Sequence, residues 1–124
     1  MEEAVLVRRA IEAAGRAYAP YSRYSVGAAL VGEDGRVFAG CNVENASYGL
    51  TICAERNAIF HAVAEGCRSF EKIIVVTKDG GSPCGACRQV LSEFGPMEVV
   101  LGRLDGEIME RTTSTELLPN AFGP

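Results

Sequence analysis

Three features of the sequence predict an α/β fold: helix-period and strand-period segments alternate, a β-branched run sits at Ile73–Thr77, and an Asp105-Gly106 turn separates two short strand-like segments. Together they describe a three-layer sandwich, a mixed five-stranded sheet flanked by helices. The β-branched run reads as a central strand covered on both faces. The Asp-Gly turn makes its two neighbours an antiparallel hairpin.

The elements follow in order. Residues Glu2 to Tyr18 carry Leu6, Ala10, Ala14 and Ala17 on one stripe, with Arg8, Arg9, Glu12 and Arg16 largely off it, which predicts an amphipathic helix ended by Pro20. Ser25 to Val31 is a nearly continuous apolar strand, and Glu33-Asp34-Gly35 turns it into a return strand over Arg36 to Cys41. A polar loop, Asn42 to Thr51, leads to a second helix over Cys53 to Glu65, closed by Gly66. After the central strand comes a turn-rich loop, Asp79 to Pro83, then a third helix from about Cys84 to just before Gly95-Pro96. Met97 to Leu101 and Glu107 to Arg111 form the hairpin, and the tail from Thr115 has one short helical turn. No linker, repeat or low-complexity stretch divides the chain, so residues 1–124 are expected to be one domain.

Composition narrows the function. The chain is 48% hydrophobic and 23% charged, ordinary for a globular domain, and its net charge of −4 disfavours a phosphate-gripping face. A small neutral or cationic substrate fits better, with neither nucleic acid nor membrane as partner. No apolar run approaches the ~18 residues of a membrane span, and the acidic start MEEAVLVRRA does not read as a signal peptide, so a cytoplasmic protein is expected. Five cysteines in a reducing compartment point to metal binding or catalysis before disulfides.

Two short segments carry the chemistry: Cys53-Ala54-Glu55 and Pro83-Cys84-Gly85-Ala86-Cys87, each at a helix start. Cys84 and Cys87 share one helix face, which continues through Leu91 and Phe94 toward the core. The positive end of a helix lowers thiol pKa values and favours thiolates, the form that binds metal. The single histidine, His61, lies eight residues past Cys53, roughly 12 Å along the helix, and is out of reach. Cys53, Cys84 and Cys87 with an open fourth position make a catalytic zinc site; with Cys41 as fourth ligand the site would be structural. A Cys-x-x-Cys redox pair also fits Cys84 and Cys87 taken alone, but leaves Cys53 and Glu55 unexplained. Glu55 beside the metal can move protons, and Arg56 can donate to a ligand sulfur and offset the charge of three thiolates. Residues two apart on a regular helix point about 200° apart, so Cys53 and Glu55 converge only if Cys53 stands at the helix mouth.

With AYAPYSRYSVGAAL, GCNVENASYG, CAERNAIF, SPCGACRQVLSEFG and ELLPNAFGP, the sequence resembles the small homotetrameric cytidine deaminases along nearly its whole length. The resemblance implies zinc on Cys53, Cys84 and Cys87, with Glu55 relaying protons during hydrolytic attack on C4 of cytidine or deoxycytidine, in pyrimidine salvage. It implies Asn42 and Glu44 on the ribose, Tyr24 where relatives commonly stack a Phe on the base, and Tyr48 and Phe122 in pockets completed by neighbouring subunits. The backbone at Ala54 and Cys84 is expected to meet the base. The added hydroxyl of Tyr24 is expected to alter pocket polarity. A nucleic-acid editing deaminase would share the metal site but needs a basic surface and a strand channel.

Overall fold

A computed structural model describes residues 1–124 as one five-stranded sheet with helices on both faces. The elements are α1 (Glu3–Ala14), β1 (Gly27–Gly32), β2 (Val37–Cys41), α2 (Ala54–Ala64), β3 (Phe70–Thr77), α3 (Gly85–Glu93), β4 (Glu98–Arg103), β5 (Ile108–Thr113) and α4 (Ser114–Leu117), with a 3-10 turn at Tyr48–Leu50. The strand order is β2-β1-β3-β4-β5. Only β3 and β4 run parallel; every other neighbouring pair is antiparallel. The parallel pair needs a crossover, and α3 supplies it. The expected mixed sheet and three layers are therefore present, including the β4–β5 hairpin.

The β-branched run behaves as a strand buried on both faces. Ile73 and Val75 face one core with α2 and α3, while Ile74 and Val76 face the other with α1. Ile59 and Leu91, both fully buried, anchor α2 and α3 on their face. Each such side chain contributes about 1.5–3 kcal/mol of transfer free energy before entropy is set against it.

Two glycines let the helices sit close. A Cβ at Gly27 would run into the Ala10 carbonyl of α1, and one at Gly40 would meet the Ala54 carbonyl and the Ala58 nitrogen of α2. The contact at Gly40 sets the first turn of α2, where Glu55 lies.

The first helix is shorter than the sequence suggests. It stops at Ala14, capped by Gly15, rather than reaching Tyr18. The reason is tertiary: Tyr18 N–H donates to the Asn42 carbonyl (3.0 Å) and Glu44 N–H donates to the Tyr18 carbonyl (2.8 Å). A strand-like bridge of Tyr18 with Val43 thus replaces the last helical turn and fastens the Asn42–Thr51 loop. β2 and β3 end as expected at Cys41 and Thr77, and the other strand ends differ from expectation by one to three residues, for example the start of β3 at Phe70. No helix is long and apolar enough to cross a membrane.

Candidate active site and metal centre

The site forms at one end of the sheet. Gly27 pairs with both Cys41 and Val76, so the start of β1 and the ends of β2 and β3 share that edge. The N-termini of α2 and α3 open at the same edge. Between them lies a cavity of about 350 Å³, lined by residues that include Tyr24, Asn42, Glu44, Cys53, Glu55, Thr77 and Cys84. A shallower hollow along Tyr21 and Tyr48 continues from it through Ser22, Glu44 and Thr51.

Both helix mouths end on a cysteine. Cys53 is the N-cap of α2 with extended backbone (φ −73°, ψ 159°), and Cys84 is the N-cap of α3 in nearly the same conformation (φ −68°, ψ 169°). This resolves the 200° difficulty: Cys53 is outside the helix, so its sulfur and the Glu55 carboxyl converge. The sulfurs of Cys53, Cys84 and Cys87 lie within 4.8 Å of one another, and Cys53 Sγ is 3.7 Å from Cys84 Sγ. Tetrahedral zinc with ~2.3 Å bonds needs sulfurs about 3.8 Å apart, so the group can hold that ion. Cys41 is elsewhere, its thiol turned to the Arg16 carbonyl at 3.7 Å, and no fourth Cys, His, Asp or Glu joins the group. His61 and the buried Cys67 are likewise apart.

The electrostatics agree with a cation-binding set. Cys53 is pulled down to about 5, first by its hydrogen bond with Cys87 and then by those with Arg56 and Cys84. Cys87 is pushed up, by the same bond to Cys53 and by burial. Without a cation, then, the group favours a thiolate at Cys53 and resists one at Cys87; a divalent ion offsets that resistance. Arg56 Nη2 donates to Cys53 Sγ at 3.4 Å, while its Nε is buried with no partner. Glu55, 4% exposed, has its carboxyl pushed up to about 7, chiefly by burial and then by the Cys53 charge. A carboxyl poised there can both accept and release a proton at neutral pH.

The other expected residues divide. Asn42 lines the cavity, but its amide is spent on backbone: Oδ1 accepts from Val26 N–H (2.9 Å) and Nδ2 donates to the Tyr24 carbonyl (2.8 Å). Glu44 also lines it while accepting from the N–H groups of Tyr21 (2.9 Å) and Ser22 (3.1 Å) and from the Ser22 hydroxyl. The Ser22 hydroxyl, with those amides, holds its carboxyl below the ordinary range. Tyr24 presents its ring to the cavity and donates its hydroxyl to Asp79 Oδ1 at 2.6 Å. Tyr48 is on the rim, its ring 5.7 Å from that of Tyr21. Ala54 is fully buried under β2, with its side chain outside the cavity lining. Phe122 is 87% exposed and lies outside the cavity of its own chain.

Comparison with known proteins is decisive at this point. The family model for the cytidine and deoxycytidylate deaminase zinc-binding region matches residues 1–103. The chain belongs to that family. A cytidine deaminase of Halalkalibacterium halodurans is 55% identical over 126 aligned positions, covering 98% of this chain and 95% of the relative. The crystal structure of cytidine deaminase from Burkholderia pseudomallei superposes with a TM-score of 0.93 at 52% identity, over 98% of this chain and 100% of that one. That from Mycobacterium tuberculosis gives 0.86 at 39% identity, over 100% and 99%.

Within this deaminase site, several residues escape sequence reasoning. Ser22, Thr51, Thr77 and Ser82 line the cavity. Asn57 Nδ2 donates to the Cys41 carbonyl at 2.8 Å and ties α2 to the end of β2. Each is a single polar residue in a loop, in a helix or, for Thr77, at a strand end, with no spacing that would mark it. Only contacts distant in sequence reveal them.

Proposed function

We propose that the protein catalyses hydrolytic deamination of cytidine and 2′-deoxycytidine to uridine and deoxyuridine with release of ammonia, with residues 1–124 acting as one deaminase domain. The observation that carries this reading is the Cys53–Cys84–Cys87 triangle with the buried Glu55 carboxyl in the same cavity. The cavity's size falls in the range of about 300–1,000 Å³ typical of small-ligand pockets.

Zinc held by the three cysteines would supply Lewis acidity, acidifying water at neutral pH. Glu55 takes a proton from that water on a carboxylate oxygen and passes it to ring N3. It then takes the second proton and delivers it to the departing amine, so that water and cytidine become uridine and ammonia. Arg56 offsets the surplus negative charge of three thiolates around one divalent ion through its bond to Cys53. Tyr24 orients the base by its ring. Asn42 and Glu44 shape the wall at which a ribose would sit, and Glu44 remains ionised there to accept from sugar hydroxyls. The helix mouths at Ala54 and Cys84 offer free N–H groups toward the base.

The active unit proposed is a homotetramer, in the cytoplasm, serving pyrimidine salvage on free nucleosides. Support comes from exposed apolar residues: Tyr48 on the cavity rim, Leu50 and Val43 on the same loop, and Phe122 on the tail. A neighbour's surface would bury them and exclude water from the cavity. The test is the loss of cytidine absorbance on addition of purified protein. Activity abolished by a zinc chelator and restored by zinc is the expected result. Absence of turnover by the zinc-loaded protein on both nucleosides would overturn the reading.

A further inference from the structure

Of the three cysteines, Cys84 has the least support from its own surroundings. Cys87 is fully buried inside α3 and Cys53 is half-buried, but Cys84 is exposed at a helix mouth with no side-chain cap. The approach to it is weaker still. Residues 78–83 make no backbone–backbone hydrogen bond at all. Side chains hold the loop instead. At its first half, Gly81 N–H donates to Thr77 Oγ1 (2.8 Å) and Asp79 Oδ1 (3.1 Å). At its second half, where Pro83 is buried, Arg88 is the only hydrogen-bonding partner: Nε donates to the Pro83 carbonyl (2.8 Å) and Nη2 to Ser82 Oγ (2.6 Å). Pro83 has no N–H, so that carbonyl, part of the peptide plane leading into Cys84, is its one polar handle. The remaining nitrogen, Nη1, donates to the Leu117 carbonyl at 2.9 Å. The next residue, Gln89, donates from Nε2 to the Phe122 carbonyl at 3.1 Å.

We propose that Arg88 is a positioning residue that locks the Ser82–Pro83 approach so that Cys84 stays on the metal, and that docks the C-terminal segment against the same loop. The guanidinium makes this possible because it presents three nitrogens in a fixed plane; a lysine ammonium cannot span the three acceptors. Metal retention and the docking of the tail at Leu117 thus share one side chain, while Gln89 holds the tail farther on at Phe122. The inference rests on the reading of Cys84 as a zinc ligand.

The test uses purified zinc-loaded full-length protein as wild type, R88K, Q89A and S82A. Zinc release is followed by the colour of a pyridylazo chelator, Cys84 and Cys53 alkylation by iodoacetamide on the zinc-free forms, and tail ordering by amide hydrogen exchange. R88K is expected to release zinc about tenfold faster, the low end of the cost of removing a partner outside the metal's own ligands. Its Cys84, but not its Cys53, should alkylate faster, and exchange should rise over residues 117–124. Q89A should loosen the tail alone, with zinc release unchanged. A folded R88K with wild-type release and a wild-type Cys84-to-Cys53 alkylation ratio overturns the proposal. Should R88K fail to fold, S82A decides: about threefold faster release is expected, and a wild-type rate overturns it. If wild type binds no zinc, the metal reading falls by itself, and the alkylation ratio still decides the role of Arg88.

Discussion

Replacing Glu55 by glutamine changes one oxygen for an NH₂ group at nearly constant volume, and its consequences can be worked out separately for fold, metal and turnover. The carboxyl is 4% exposed and its pKa is raised from 4.5 to about 7, chiefly by burial. Below pH 4.5 the group is protonated in folded and unfolded chains alike, so it imposes no cost. Between 4.5 and 7 the folded state holds the proton that the unfolded state loses, and stability falls as pH rises; above 7 the loss is complete. At roughly 1.4 kcal/mol per pKa unit this comes to about 3 kcal/mol in metal-free protein. Glutamine never ionises, so the zinc-free E55Q variant should gain stability over wild type at pH 8 and gain little at pH 4.5. Urea denaturation at both pH values and one fixed protein concentration measures the difference. Zinc content should be unchanged, because Glu55 is outside the sulfur group. Turnover should fall by at least about 10²–10⁴, because the proposed mechanism uses the carboxyl as both acid and base. Turnover within tenfold of wild type, or loss of zinc, would refute the reasoning.

Other substitutions probe the rest of the site. Cys41→Ser should keep about one zinc per chain, and X-ray absorption should find three sulfurs and one light atom; four sulfurs, with zinc lost in the variant, would make the site structural. Gly40→Ala drives a Cβ into the first turn of α2 and should cost about 1–3 kcal/mol by thermal denaturation while lowering turnover; unchanged values would show that α2 does not depend on this close approach. Tyr24→Phe should leave KM for cytidine within about twofold and cost about 1 kcal/mol of stability, because the hydroxyl serves Asp79; a large change in KM would show that the hydroxyl reaches the substrate. Phe122→Ala should raise KM, and activity should disappear as dilution separates the subunits, checked by light scattering on the same series. A fully active monomer would remove the shared pocket and leave the zinc chemistry standing.

Much of the site was legible because it is written in local spacing. Cys84 and Cys87 are one helical turn apart and Arg56 follows Cys53 by three, so local spacing alone brings each of these pairs together. The alternation of patterns and the β-branched run at Ile73–Thr77 likewise determine a covered central strand and the layers around it. These are properties of neighbours in sequence, and periodicity reports them.

The tertiary structure decided whatever depends on partners far along the chain. Tyr18 leaves its helix because residues 42–44 offer it a strand-like pairing, which no periodicity in 2–18 announces. Cys53 stands outside α2 because β2 and the loop hold the chain extended there, and this alone lets Cys53 and Glu55 face the same space. Tyr24 gives its hydroxyl to Asp79, and Glu44 gives its carboxylate to the turn at Tyr21 and Ser22, so polar groups expected to look into the pocket also build its wall. Arg88 appears in the sequence as an ordinary helix residue; only the folded chain sets Pro83, Ser82 and Leu117 around it. A sequence read by spacing registers which side chains share a face, whereas a hydrogen bond between distant segments exists only after the sheet has brought them together.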